Sequence, residues 1–143
     1  MAQDLRRLYA LGGVATARIN TADKLGDDIL SFRQYGDGKH PVGVGLGTDT
    51  GGFNAQPGPT PDPKQGPFSY PFQAYHCGLV FGKQQTGERT FDINKDGVAH
   101  YGLVPDLLAD VERRPHGHEA LGLLFHSAEA YLETWQRAVS AGT

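Results

Sequence analysis

The sequence predicts an α/β fold, and three observations carry that expectation. The stretch Val42-Gly43-Val44-Gly45-Leu46-Gly47-Thr48-Asp49 alternates an apolar residue with glycine for three rounds and ends on a carboxylate. Alternation with period two is the signature of a strand. Ahead of it, Asp27 to Tyr35 carries Ile29, Leu30 and Phe32 and is closed by Gly36-Asp37-Gly38, the helix–turn–strand order of an α/β step. Behind it, two segments carry helical periodicity, Pro105 to Arg113 and His118 to Val139.

Each element has its own reason. Residues 2 to 10 form a short amphipathic helix with Leu5, Leu8 and Tyr9 inward, stopped by Gly12-Gly13. Residues 14 to 24 show no clear period and read as loop. In the glycine strand, Val42, Val44, Leu46 and Thr48 share one face, while Gly43, Gly45, Gly47 and Asp49 share the other. Glycine inside a strand weakens it and marks a place where a backbone or a ligand comes close. Asp49 therefore stands at the C-terminal tip of a strand, on its uncluttered side, where open parallel sheets and parallel barrels form their sites.

From Gly51 to Pro71 the composition shifts: six of the nine prolines fall here, with Gly51, Gly52, Gly58 and Gly66. Such a run builds neither ladder nor helix. Long loops inside a compact domain are usually functional or disordered, and a loop directly after Asp49 reads as a lid or a substrate-contacting segment. Cys77 to Gly82 and Glu88 to Ile93 are β-like runs that could pair as a hairpin. Proline in the first turn, Asp106 near the start and Arg113-Arg114 at the end mark the helix at 105–113. Leu121, Leu124, Phe125, Ala128, Leu132, Trp135 and Val139 make one apolar stripe on the last and longest helix.

The 143 residues suffice for a single domain, 1–143, with a modest core. At 38% hydrophobic and 20% charged, the composition is that of a soluble globular protein. A net charge of −3 offers no footprint for nucleic acid, and there is no basic run for an anionic membrane surface. No window is apolar enough to span a bilayer, and the N-terminus carries no signal segment. A cytoplasmic location is the default expectation, although a signal lost by truncation would leave the same sequence. One cysteine, Cys77, excludes an internal disulfide framework and reads as a small buried residue.

Several motifs fail on spacing. Thr48 and Thr50 stand where a dinucleotide-binding strand needs its third glycine, and neither a phosphate loop nor a Gly-x-Ser-x-Gly elbow occurs. Asp92-Ile93-Asn94-Lys95-Asp96-Gly97 matches the first half of a calcium loop, with Asp92, Asn94 and Asp96 as candidate ligands. The twelfth position is Leu103 rather than a bidentate glutamate, so an Asp/Asn/Gly turn explains the run as well. His116-Gly117-His118 has metal-ligand spacing but lies between helices. His100, in Gly97-Val98-Ala99-His100-Tyr101-Gly102, is a candidate ligand or a hydrogen-bonded structural histidine.

Three stretches together resemble the C-terminal part of bacterial metal-dependent hydrolases of the amidohydrolase and membrane-dipeptidase type: Val44 to Asp49 followed by Gly51-Gly52-Phe53-Asn54, Thr86 to Leu103, and Ala128 to Trp135. The resemblance implies a partial (β/α)8-like barrel piece: the last strand with flanking helices, a long Pro/Gly loop and C-terminal helices. The family's early His-x-His strand, bridging Glu or Lys and mid-barrel histidines have no counterpart, and a whole barrel takes about 250 residues. It further implies a divalent metal, often zinc, with Asp49 as its ligand or as the acceptor of the proton of the metal-bound water; His100, and after it His76, are the candidate further ligands in this sequence. The implied reaction is hydrolysis of an amide, peptide or lactone bond in a small-molecule substrate by a metal-activated water. The alternative is a non-catalytic fragment: a calcium-stabilised module, or one that dimerises to complete its core as a homo-oligomer.

Overall fold

The computed structural model describes residues 1–49, 55–75 and 78–142. Helix α1 (Ala2–Ala10) buries Tyr9, whose hydroxyl donates to the Gly43 carbonyl at 3.1 Å. Burial pushes that phenol up to about 12, so the ring stays neutral and ties the helix to the glycine strand. The chain then enters β1 (Val14–Arg18), which pairs in parallel with β2 (Gly43–Gly47), Val14 opposite Gly43 and Arg18 opposite Gly47. A parallel pair needs a crossover. Helix α2 (Ala22–Ser31) and the 3-10 turn Phe32–Tyr35 supply it.

The loop expected at 14–24 is instead strand β1 over its first five residues and, from Ala22, the start of α2. Val-Ala-Thr-Ala-Arg has little strand propensity of its own. Main-chain bonds to β2 and the burial of Ala15 and Ala17 make it a strand. One face of the pair, with Ala17, Val44 and Leu46, joins the core formed by Leu25 and Ile29 of α2, Leu107 and Val111 of α4 (Val104–Glu112), and Leu121 of α5 (Gly117–Phe125). Fully burying one such side chain contributes roughly 1.5–3 kcal/mol, and this cluster dominates the stability of the fold. On the other face, α6 (Ser127–Ala141) seats Ala130 against Gly43: a Cβ built there would lie 2.6 Å from the Ala130 methyl.

Beyond the core, β3 (Phe72–Gln73) pairs antiparallel with β4 (Val80–Phe81), and Phe68, Tyr70, Phe72 and Phe81 pack ring against ring. Strands β5 (Gln85–Thr86) and β6 (Arg89–Thr90) make a tight hairpin leading to the single turn α3 (Ile93–Asp96).

Three expectations need correction. The partial (β/α)8-like barrel piece is not what the chain forms: among the described residues every sheet has two strands and no barrel closes. β2 has β1 as its single strand neighbour, and the chain after it builds short antiparallel pairs and helices rather than further parallel strands. The hairpin joining the runs at 77–82 and 88–93 does not form either. Val80–Phe81 pairs back with Phe72–Gln73, while Arg89–Thr90 pairs with Gln85–Thr86 across Gly87, whose φ of +60° suits a two-residue turn. Cys77, where the first run was to begin, lies outside the described residues. The helix expected over 118–139 is two helices broken at His126, with their apolar faces turned differently. No helix among the described residues is long and apolar enough to cross a membrane.

Candidate functional site

The C-terminal ends of β1 and β2 lie side by side, the Ile19 N–H donating to the Gly47 carbonyl at 2.7 Å. Asp49 follows two residues after β2, exposed and at φ +53°, a left-handed conformation that non-glycine residues seldom adopt. No hydrogen bond or ion pair holds its carboxylate among the described residues. Thr48, beside it, brings its hydroxyl oxygen within 3.4 Å of the exposed Tyr101 hydroxyl. A cleft of about 250 Å³ opens at the same end of β1, lined by Arg18, Asn20 and Gln56 among others. The segment Gly51 to Asn54, expected to follow Asp49 as a loop over the site, lies outside the described residues.

His100 comes next to this end through Tyr101, but its ring faces the protein. Its Nδ1 accepts the Gly102 N–H at 3.0 Å, and its ring stands edge-on to Phe91 with centroids 4.4 Å apart. Nε2 is buried without a hydrogen-bond partner among the described residues. Since Nδ1 is an acceptor, the neutral ring carries its proton on Nε2. His76 lies outside the described residues. His116 and His118 are exposed and face different carboxylates, Glu119 at 3.8 Å and Glu112 at 3.3 Å.

Asp92, Asn94 and Asp96 cap and brace the turn α3. Asp92 Oδ1 accepts the Asn94 N–H at 3.0 Å, and Lys83 Nζ sits 2.7 Å from Oδ2. Burial works to raise the Asp92 pKa, but the Lys83 and Asn94 hydrogen bonds outweigh it and hold the carboxyl below its usual range. Asn94 spans to Phe68, its amide oxygen accepting the N–H at 2.7 Å and its nitrogen donating to the carbonyl at 2.8 Å. Asp96 accepts the Asp92 N–H at 2.8 Å and pairs with Arg89 at 2.9 Å, contacts that lower its pKa in that order. All three side chains spend their oxygens on donors of this chain.

By its position Asp106 is a helix-start charge; in the fold it is buried, 1% exposed, beneath Tyr70 of the aromatic cluster. Burial pushes its carboxyl up, and the Tyr70 hydroxyl donates to Oδ1 while Oδ2 has no partner among the described residues. Tyr70 in turn accepts the Ile93 N–H at 3.2 Å. The spacing Leu103, Asp106, Leu107, Asp110, Val111 was the available signal, because it puts both aspartates in the buried stripe of α4. An apolar groove of about 570 Å³ lies between β3–β4 and helices α4 and α5, with Tyr75, Phe81, Leu108 and Phe125 on its walls. Neither Asp49 nor His100 lines it.

Among the described residues no three His, Cys, Asp or Glu side chains converge as a metal site. Of the candidate ligands, Asp49 offers a carboxylate, both ring nitrogens of His100 are turned into the chain, and His76 lies outside the described residues. No family model, curated protein or solved structure matches the chain. Function is accordingly argued from residues and geometry.

Proposed function

We propose that this chain is a hydrolase of amide, peptide or lactone bonds, with Asp49 as the group that handles the proton of the attacking water. The observation that carries the reading is Asp49 itself: an exposed non-glycine residue at φ +53°, two residues beyond the end of the glycine strand. Sparsely populated backbone geometry costs on the order of 1–3 kcal/mol and gathers at functional sites. The resemblance of Val44 to Asp49 to a strand of metal-dependent hydrolases points to the same residue.

In this reading Asp49 accepts a proton from water as the water attacks the carbonyl carbon, then returns it to the leaving nitrogen or oxygen. The Thr48 and Tyr101 hydroxyls donate to the oxygen on which charge develops. The cleft beside Arg18 and Asn20 takes the polar flank of the substrate.

A panel of dipeptides and lactones, assayed with wild type and Asp49→Asn, tests the proposal. Turnover by wild type should fall by about 10²-fold or more in the variant, the scale of a lost general base. Full activity in Asp49→Asn, or none in wild type across the panel, refutes it.

A further inference from the structure

Helix α6 is attached by the wrong face. The residues that hold it to the protein are Ala130, Thr134 and Arg137, spaced four and three apart. Ala130 lies on Gly43, the Thr134 hydroxyl donates to the Gly12 carbonyl, and Arg137 donates to the same carbonyl at 2.9 Å. The apolar side chains are on the far side: Tyr131 is 65% exposed, Leu132 55%, Trp135 60% and Val139 52%. Successive helix residues turn about 100°, so these four fall within a sector of about 100° opposite the attached face. Glu129, Glu133, Gln136 and Ser140 run along one border of that sector. An isolated exposed leucine needs no explanation, but a continuous stripe on one face does.

We infer that α6 is a homodimer interface, its apolar stripe packing antiparallel against the same stripe of a second copy. Two arguments favour a second copy over other occupants. The first is area. The four side chains expose on the order of 400 Å² per chain, already the scale of the largest patch on a typical monomer. Two such stripes with their helix borders bury on the order of 1,000 Å² in all, which reaches the lower limit for a specific interface. The second is self-complementarity. With the twofold axis at Trp135, Tyr131 of one copy meets Val139 of the other, large against small, and each copy makes both contacts. Antiparallel helices also set opposite dipole ends together. An interface of this size gives a weak, concentration-dependent dimer.

Sedimentation of wild type from about 1 to 500 µM, a range that brackets the affinity of a small interface, reads the assembly directly. The mass should rise toward twice 15.4 kDa. Emission from Trp135, the chain's only tryptophan, should shift to the blue over the same range. Trp135→Glu should stay monomeric with an unchanged melting curve, since that side chain is exposed in the monomer. A wild type that stays at 15.4 kDa with one emission maximum throughout overturns the inference and leaves the stripe to a different polypeptide. A Trp135→Glu protein that dimerises like wild type overturns it too. In a Cys77→Ser background, mixed Tyr131→Cys and Val139→Cys chains should cross-link to each other; cross-links confined to like pairs refute the antiparallel arrangement.

Discussion

Helices α5 and α6 follow one another with only His126 between them, yet they are built into the molecule in opposite ways. In α5 the apolar face points inward: Ala120 and Leu121 are fully buried and Leu124 nearly so, against α2 and α4. An ion pair from Arg33 to Glu119 secures its first turn. In α6 the inward face is Ala130, Thr134 and Arg137, and the large apolar residues point out. The difference lies in what each helix meets. α5 faces a deep layer of leucine, isoleucine and valine that only apolar side chains can fill. α6 lies on a glycine strand, so closely at Gly43 that a Cβ added there would stand 2.6 Å from the Ala130 methyl. Amphipathicity says that a helix has an apolar face; the neighbouring surface says whether that face is used within the chain.

The comparison can be broken at its strong side first. Leu121→Ala removes a fully buried side chain from α5 and should cost about 2–5 kcal/mol in urea unfolding. A loss below 1 kcal/mol would mean that α5 is no better seated than α6. Gly43→Ala puts a methyl group where Ala130 and Val14 already stand, at 2.6 and 2.8 Å. Overpacking of this kind costs about 1–3 kcal/mol, and hydrogen exchange should show α6 loosened while α5 keeps its protection. Equal loosening of both helices would show that they share one attachment.

Smaller effects sharpen the picture. The Arg33 hydrogen bond, and then its charge, hold the Glu119 carboxyl below its ordinary 4.5. A depressed carboxyl pKa lends stability that is complete above the unfolded value and is lost as the pH falls through the folded one. Arg33→Gln should therefore melt slightly below wild type at pH 7, with the gap closing as the pH drops below about 4.5, the ordinary pKa. A gap that is the same at both pH values removes the ion pair from the account of α5. Smallest of all, Trp135→Ala in dilute, monomeric protein should change unfolding free energy by less than about 0.5 kcal/mol. A larger cost would place that ring in contacts within the monomer.

Much of the chain was legible because local chemistry decided it. Helix α1 spans residues 2–10 as its periodicity and Gly12-Gly13 require, and β2 and α4 lie within a residue of their expected bounds. The tip position of Asp49 followed from the glycine alternation. What was missed depends on partners distant in sequence. β1 is a strand because β2 lies beside it; the short hairpins pair according to turn geometry at Gly87 rather than by the strength of their runs. His100 and the calcium-like turn were legible as polar residues, but not as ones whose atoms are spent on Gly102, Phe68 and Lys83. Asp106 was masked by its place in a first helical turn, where an acid is expected for the dipole alone.

By itself the sequence determined the glycine-rich strand with a carboxylate beyond its end, the helices bounded by glycine and proline, and the apolar periodicity after Pro115. These follow from side-chain shape and backbone freedom within a few residues. Tertiary structure alone decided that this periodicity belongs to two helices of which the first is buried, which aspartate is buried, and that among the described residues the parallel sheet has two strands. Each of those depends on what stands within a few ångströms across the fold, and no local pattern carries that information.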